Sequence, residues 1–238
     1  MTSISRRSFV QTLPLGVAAL SGVGSAYAQQ QELVVPNAFG SDLQLKPLLF
    51  EADQLDGLSE KLIISHWQNN YGGSVRALNT IKQRLQVALS DDTVPAFVYN
   101  DLKREHLMRA GSVVLHEYYF DNMAPPGSRD SEFDSALAQA FGSVQNWEKE
   151  FRRIGAGLGG GSGWVMLAWN MSAQTLENYW MWDHMHAPAA SVPILVMDMY
   201  EHSYHMDYGA ATGQYIDAFV RNINWQVVAE RLHNALTG

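Results

Sequence analysis

The chain has 238 residues, 47 % of them hydrophobic, a formal net charge of −8 and no cysteine. That is apolar material enough for a sizeable buried core, and the lack of thiols excludes disulfides and thiolate ligands, so any metal must be held by nitrogen and oxygen. The acidic balance argues against nucleic acid and against an anionic membrane surface as partners, and it repels a small anion at long range.

In chain order, residues 1–28 read as a twin-arginine signal peptide. Arg6 and Arg7 precede an apolar stretch that runs to Val23, and Ala26 and Ala28 offer a small-x-small cleavage site before Gln29. The stretch contains Pro14 and several glycines and is too short to span a bilayer comfortably, so no stable membrane insertion is expected after its removal. The expected destination is outside the cytoplasm, in a bacterial periplasm. A polar linker follows over 29–45.

Ser59 is placed to cap a helix in which Leu62, Ile63, His66, Ile81, Leu85 and Val87 recur near helical spacing. Gly72 and Gly73 are expected to interrupt or kink it. A second helix over about 94–120 is stopped by Pro125, Pro126 and Gly127. These two form an antiparallel helical hairpin in an N-terminal lobe, 29–127. Residues 131–155 continue as helix. The six glycines between Gly155 and Gly163 lack the Lys-Ser/Thr pair of a phosphate cradle, so nucleotide binding is not expected. Segments 164–169, 175–182 and 192–198 read as strands, the first two joined by a tight turn after Asn170, and a helix over about 214–235 closes the chain. The expected fold is α+β: the helical hairpin, then a C-terminal lobe, 128–238, with a three-stranded antiparallel sheet and flanking helices.

The chemistry concentrates where the third strand ends. Ile194 to Met197 is an apolar run that stops at Asp198, and His202 follows four residues later. A carboxylate at the end of a buried strand must be paired, hydrogen-bonded or bound to a metal to offset its desolvation. Taken alone, the pair is as well read as a turn cap beside a packing histidine.

The surrounding residues decide otherwise. From Asp198 through Tyr200, Glu201, His202 and Tyr204 the chain resembles the D-x-W-E-H-A-Y signature of the iron/manganese superoxide dismutases. Three more landmarks occur in family order: His66 with Val75, Leu78 and Asn79; His116 with Tyr118, Tyr119 and Pro125; and Gly161-Ser-Gly-Trp164 with Leu167. The likeness ends at Asn224-Trp225. It implies an enzyme that converts superoxide to dioxygen and hydrogen peroxide by redox cycling of one manganese or iron ion per subunit, held by His66, His116, Asp198 and His202. Three imidazoles and a carboxylate suit a first-row metal that changes valence, whereas zinc could not cycle. A zinc hydrolase lacks its H-E-x-x-H or an equivalent here. The remaining alternative is a non-catalytic member of the same fold that binds metal or a partner.

The resemblance also marks departures. A family glutamine normally hydrogen-bonds the metal's solvent, from four residues before the second histidine in typical iron enzymes or from the strand preceding the Asp ligand in typical manganese enzymes. The first place holds Ser112, which is too short. At the second, His184 is assigned the glutamine's task, a catalytic role that leans toward manganese or dual metal use, while His186 reads as a surface residue. Asn70 and Ser74 stand where the family has its second helix-one histidine and its gateway tyrosine, and Tyr71 is expected to serve at the same mouth. His205 replaces the tyrosine that would pair across a homodimer with the histidine now Asn70. Glu201 is expected to reach the His ligand of the other subunit, making a homodimer. Trp164 and Tyr200 are expected to wall the metal, and Met166 replaces a second tryptophan. Gly209 to Gly213 carries no base where the family has a basic stretch that steers superoxide.

Overall fold

A computed structural model describes residues 35–237; the signal peptide expected over 1–28 lies outside them. The chain becomes regular at Ser59, whose hydroxyl accepts the Leu62 N–H at 3.1 Å and so caps α1, Glu60–Ser65. The next six residues, His66–Tyr71, form one π-helical stretch before α2, Gly72–Leu89. The expected break at Gly72 therefore does not occur. The helix stays continuous there and absorbs its irregularity one turn earlier, at the first histidine, as π turns at functional positions commonly do. Val87, read as part of the apolar face, is 71 % exposed, because it lies about 200° around the helix from buried Leu85.

Helix α3, Ala96–Asp121, returns antiparallel to α2 and carries Ser112 and His116 on its buried side. The helix expected over 131–155 is two, α4, Ser131–Phe141, and α5, Val144–Gly157. They are separated at Gly142, whose φ of 80° is the left-handed conformation that ends α4. After the short α6, His205–Tyr208, the closing helix is likewise two, α7, Thr212–Arg221, and α8, Trp225–Thr237. Between them Asn222 O accepts the Ala124 N–H at 2.8 Å and Asn224 N–H donates to Asn122 O at 2.7 Å, which pins this corner to the end of α3.

The sheet is antiparallel with order β2-β1-β3, from β1, Trp164–Asn170, β2, Thr175–Met181, and β3, Ser191–Asp198. Central β1 is fully buried from Trp164 to Ala168, as a strand covered on both faces must be. Its register sets Trp164 opposite Asp198. Asn122 then ties α3 to β3, donating to Val196 O at 2.7 Å. The observed arrangement is thus the expected α+β: helices first, then a three-stranded antiparallel sheet with flanking helices. Among the described residues no helix is long and apolar enough to cross a membrane.

Candidate metal centre

Four elements converge on one point. His66 opens the π turn, His116 lies in α3, Asp198 ends β3, and His202 sits in the short 3-10 turn Glu201–Ser203 that follows. One donor atom from each lies within 4.8 Å of the others. Asp198 Oδ2 is at the centre, 3.1 Å from Nε2 of His66, 3.1 Å from Nε2 of His202 and 3.6 Å from Nε2 of His116. Its other oxygen accepts the Tyr200 N–H at 2.8 Å, which fixes the carboxylate's rotation.

The protonation states suit a cation. Burial opposes ionisation of Asp198, but the neighbouring His202 and His66 rings outweigh it and hold the carboxyl well below its usual range. Burial also lowers the pKa of His66, and burial with the nearby His66 brings His116 down to about 3, so both rings are neutral near pH 7. His116 Nδ1–H donates to Ser112 O at 2.7 Å, leaving the lone pair on Nε2, the atom turned to Asp198. The Nε2 atoms of His66 and His116 are buried with no hydrogen-bond partner. Orphaned polar atoms in a core are costly, and a bound cation satisfies all of these donors at once. A first-row ion fits this nitrogen and oxygen set.

A layer of aromatic and hydroxyl groups surrounds the four. Trp164 is wholly buried and meets His116 edge-on at 5.1 Å. Its Nε1–H donates to His184 Nδ1 at 3.0 Å, and the His184 ring stacks on Tyr200 at 4.7 Å with 9° between planes. Tyr200 stacks in turn on His202 at 5.3 Å. Gly111 of α3 allows this: a Cβ there would lie 1.9 Å from the His184 carbonyl oxygen. His184 therefore sits beside His116, at 5.9 Å between rings, while His186 is exposed and pairs with Asp183 at 2.8 Å.

Tyr71 is buried with its ring 6.3 Å from His116; its hydroxyl donates to Glu117 Oε1 at 2.9 Å and accepts the Lys46 N–H at 3.1 Å. Burial pushes that phenol up to about 12, so it is a neutral group held facing the site and not an anion. Asn70 is half-buried beside it, Met166 is buried in β1, and Glu201 and His205 are exposed after Asp198.

Other contacts had no sequence signal. Ser74 and Ser112, noted separately as departures, bond each other at 2.8 Å between α2 and α3 behind His116. Tyr215 of α7 donates to Asp198 O at 2.6 Å, and Ser203 Oγ donates to the same oxygen at 3.0 Å. Glu117 binds Lys46 Nζ at 2.5 Å, joining the N-terminal segment to the residue after His116.

Residues 129–231 match the family described as iron/manganese superoxide dismutases, C-terminal domain. The chain is 49 % identical to an iron superoxide dismutase of Cupriavidus metallidurans, over 81 % of this chain and 98 % of that protein. It is 31 % identical to manganese superoxide dismutase 1 of Haloferax volcanii, over 82 % and 98 %. It is 28 % identical to a manganese/iron superoxide dismutase of Propionibacterium freudenreichii subsp. shermanii, over 75 % and 90 %.

Replacing His66, His116, Asp198 or His202 singly by Ala removes one donor from the set, and each purified variant is expected to lose tight metal binding. Elemental analysis checks this. Full occupancy in any of the four would remove that residue from the ligand set.

Proposed function

The chain belongs to the iron/manganese superoxide dismutase family, and from that premise we propose that His66, His116, Asp198 and His202 hold its metal and that His184 positions the solvent beside it. The enzyme converts superoxide to dioxygen and hydrogen peroxide with one iron or manganese ion per subunit. When bound, that ion supplies one-electron redox chemistry, taking an electron from one superoxide and giving it to another.

The observation that carries the role of His184 is its hydrogen bond from Trp164. An indole nitrogen can only donate, so His184 Nδ1 must accept and the ring's proton resides on Nε2. Burial lowers the His184 pKa and favours this neutral form. The ring is fixed by Tyr200 on one face and by the Gly111 backbone at its carbonyl, so Nε2–H is a positioned donor next to His116, at 5.9 Å between rings. A glutamine amide would do the same task. Trp164 and Tyr200 exclude bulk water from the site, and Tyr71, with Asn70 beside it, borders its mouth. The place of His184 in the C-terminal half favours manganese or dual metal use, and the iron relative at 49 % identity puts iron in the same test.

The proposal extends to assembly and route. Glu201 and His205 are exposed beside a metal ligand, an arrangement suited to a homodimer in which Glu201 reaches the partner subunit's His202 and His205 meets Asn70. Residues 1–28 would direct export to the periplasm as a twin-arginine signal.

Substituting His184 by Ala is expected to keep the metal and cut turnover about 10- to 100-fold, the usual effect of losing a group that orients a metal's immediate neighbours. His184→Gln is expected to recover much of it. Wild-type turnover in the Ala variant would assign the solvent's partner elsewhere. Glu201→Ala is expected to sediment as monomer at dilutions where the wild type is still dimeric, with lower metal retention. Export predicts a mature chain beginning at Gln29, which intact mass of the periplasmic fraction would read; an uncleaved cytoplasmic chain contradicts it.

A further inference from the structure

We propose that Arg109 draws the substrate anion toward the metal site and that Glu105, its partner on α3, opposes it, so that this pair sets part of the encounter rate. The inference rests on the superoxide dismutase activity and concerns how a chain of net charge −8 admits an anion. Such a chain repels the substrate from afar, so attraction must come from basic groups near the site.

Among the described residues the cations to weigh are Lys46, Arg76 beside Gly72, and Arg109. Segment 209–213 carries none. Lys46 binds Glu117 at 2.5 Å, and that pair presents little net charge. Arg109 differs in its position. It precedes Ser112 by three residues and His116 by seven, which on a helix places all three along one side. Its charge reaches the His184 ring, though more weakly than those of Asp198, His202 and Asp183. Gly111, two residues on, brings the α3 backbone against the His184 carbonyl with no room for a side chain, which fixes Arg109 relative to the site.

Arg109 Nε lies 3.3 Å from Glu105 Oε2, with the two side chains 39 % and 41 % exposed. An exposed pair of this spacing is worth little to stability, so neither charge is needed for the fold and the carboxylate only partly cancels the guanidinium. Removing one member should move the field in one direction and removing the other should move it oppositely.

The test uses the metal-loaded full chain, with Arg109→Gln, Arg109→Lys and Glu105→Gln. Two quantities are measured: kcat/KM for superoxide, and the dissociation constant of azide, a small monovalent anion, read from the metal's visible spectrum. At an ionic strength of about 0.01 M, where the Debye length is about 30 Å, Arg109→Gln is expected to lower kcat/KM and azide affinity about two- to fivefold. Glu105→Gln is expected to raise both by a similar factor, Arg109→Lys to match the wild type, and kcat, metal content and Tm to stay unchanged in all three. At about 1 M salt, where the Debye length is about 3 Å, the four proteins should converge. Three results would overturn the proposal: Arg109→Gln equal to wild type at low salt, Glu105→Gln shifting in the same direction as Arg109→Gln, or a loss that persists at high salt. Salt-dependent azide binding without superoxide consumption would keep the steering and reject the activity.

Discussion

A single ionised carboxylate, Asp198, sits with no exposed surface in the middle of the protein, and the rest of the fold is organised around keeping it charged there. An isolated carboxylate cannot be buried this way; it would take up a proton or pull its strand out of the core. Here the protein surrounds it with polar partners, and a bound cation would complete the set. The Tyr200 N–H holds Oδ1, three imidazoles face Oδ2, and the hydroxyls of Tyr215 and Ser203 bind its carbonyl. Those partners come from α1's continuation, α3, the turn after β3 and α7, so the helical hairpin and the sheet are locked together by the same atoms that form the site. Folding and site assembly are one process in this molecule.

The groups around Asp198 divide into those legible in the sequence and those that were not. The four metal-site residues could be read because the stretches around them resemble the family's ordered signatures; taken alone, the apolar run ending in Asp198 with His202 after it left a turn cap equally open. The strands were legible for a different reason, since β1 and β3 are buried runs with turn residues at their ends. Secondary-structure breaks were less so. Gly142 and the Asn222 corner split helices that periodicity alone reads as continuous, because what ends them is a left-handed backbone in one case and hydrogen bonds to the distant end of α3 in the other. The break expected at Gly72 and Gly73 does not occur, and the π turn just before them was not foreseen, since i to i+5 bonding leaves no composition signature.

Pairs across elements were the least legible. Ser74 and Ser112 stand 38 positions apart and each reads, alone, as the loss of a larger functional side chain. Together they form one buried hydrogen bond, so two departures that look like damage when taken singly are a matched replacement in space. The same holds for Trp164 and His184, 20 positions apart, where the indole decides which nitrogen of the imidazole carries the proton. A sequence lists residue types; tautomers and partners exist only once the chain is folded.

The π turn at His66–Tyr71 has a consequence for how this molecule can change over generations. A π turn is in effect an α-helix that has taken in one extra residue, and each residue of an α-helix corresponds to about 100° of rotation. Deleting any one of the four positions between His66 and Tyr71 would let the helix close into ordinary geometry without breaking it, while turning His66 away from Tyr71 and from α2 by about that angle. Side chains on the outside of this turn are free to vary, but its length is not. Its constraint is a count of residues, set by helix geometry whatever side chains its outer positions carry.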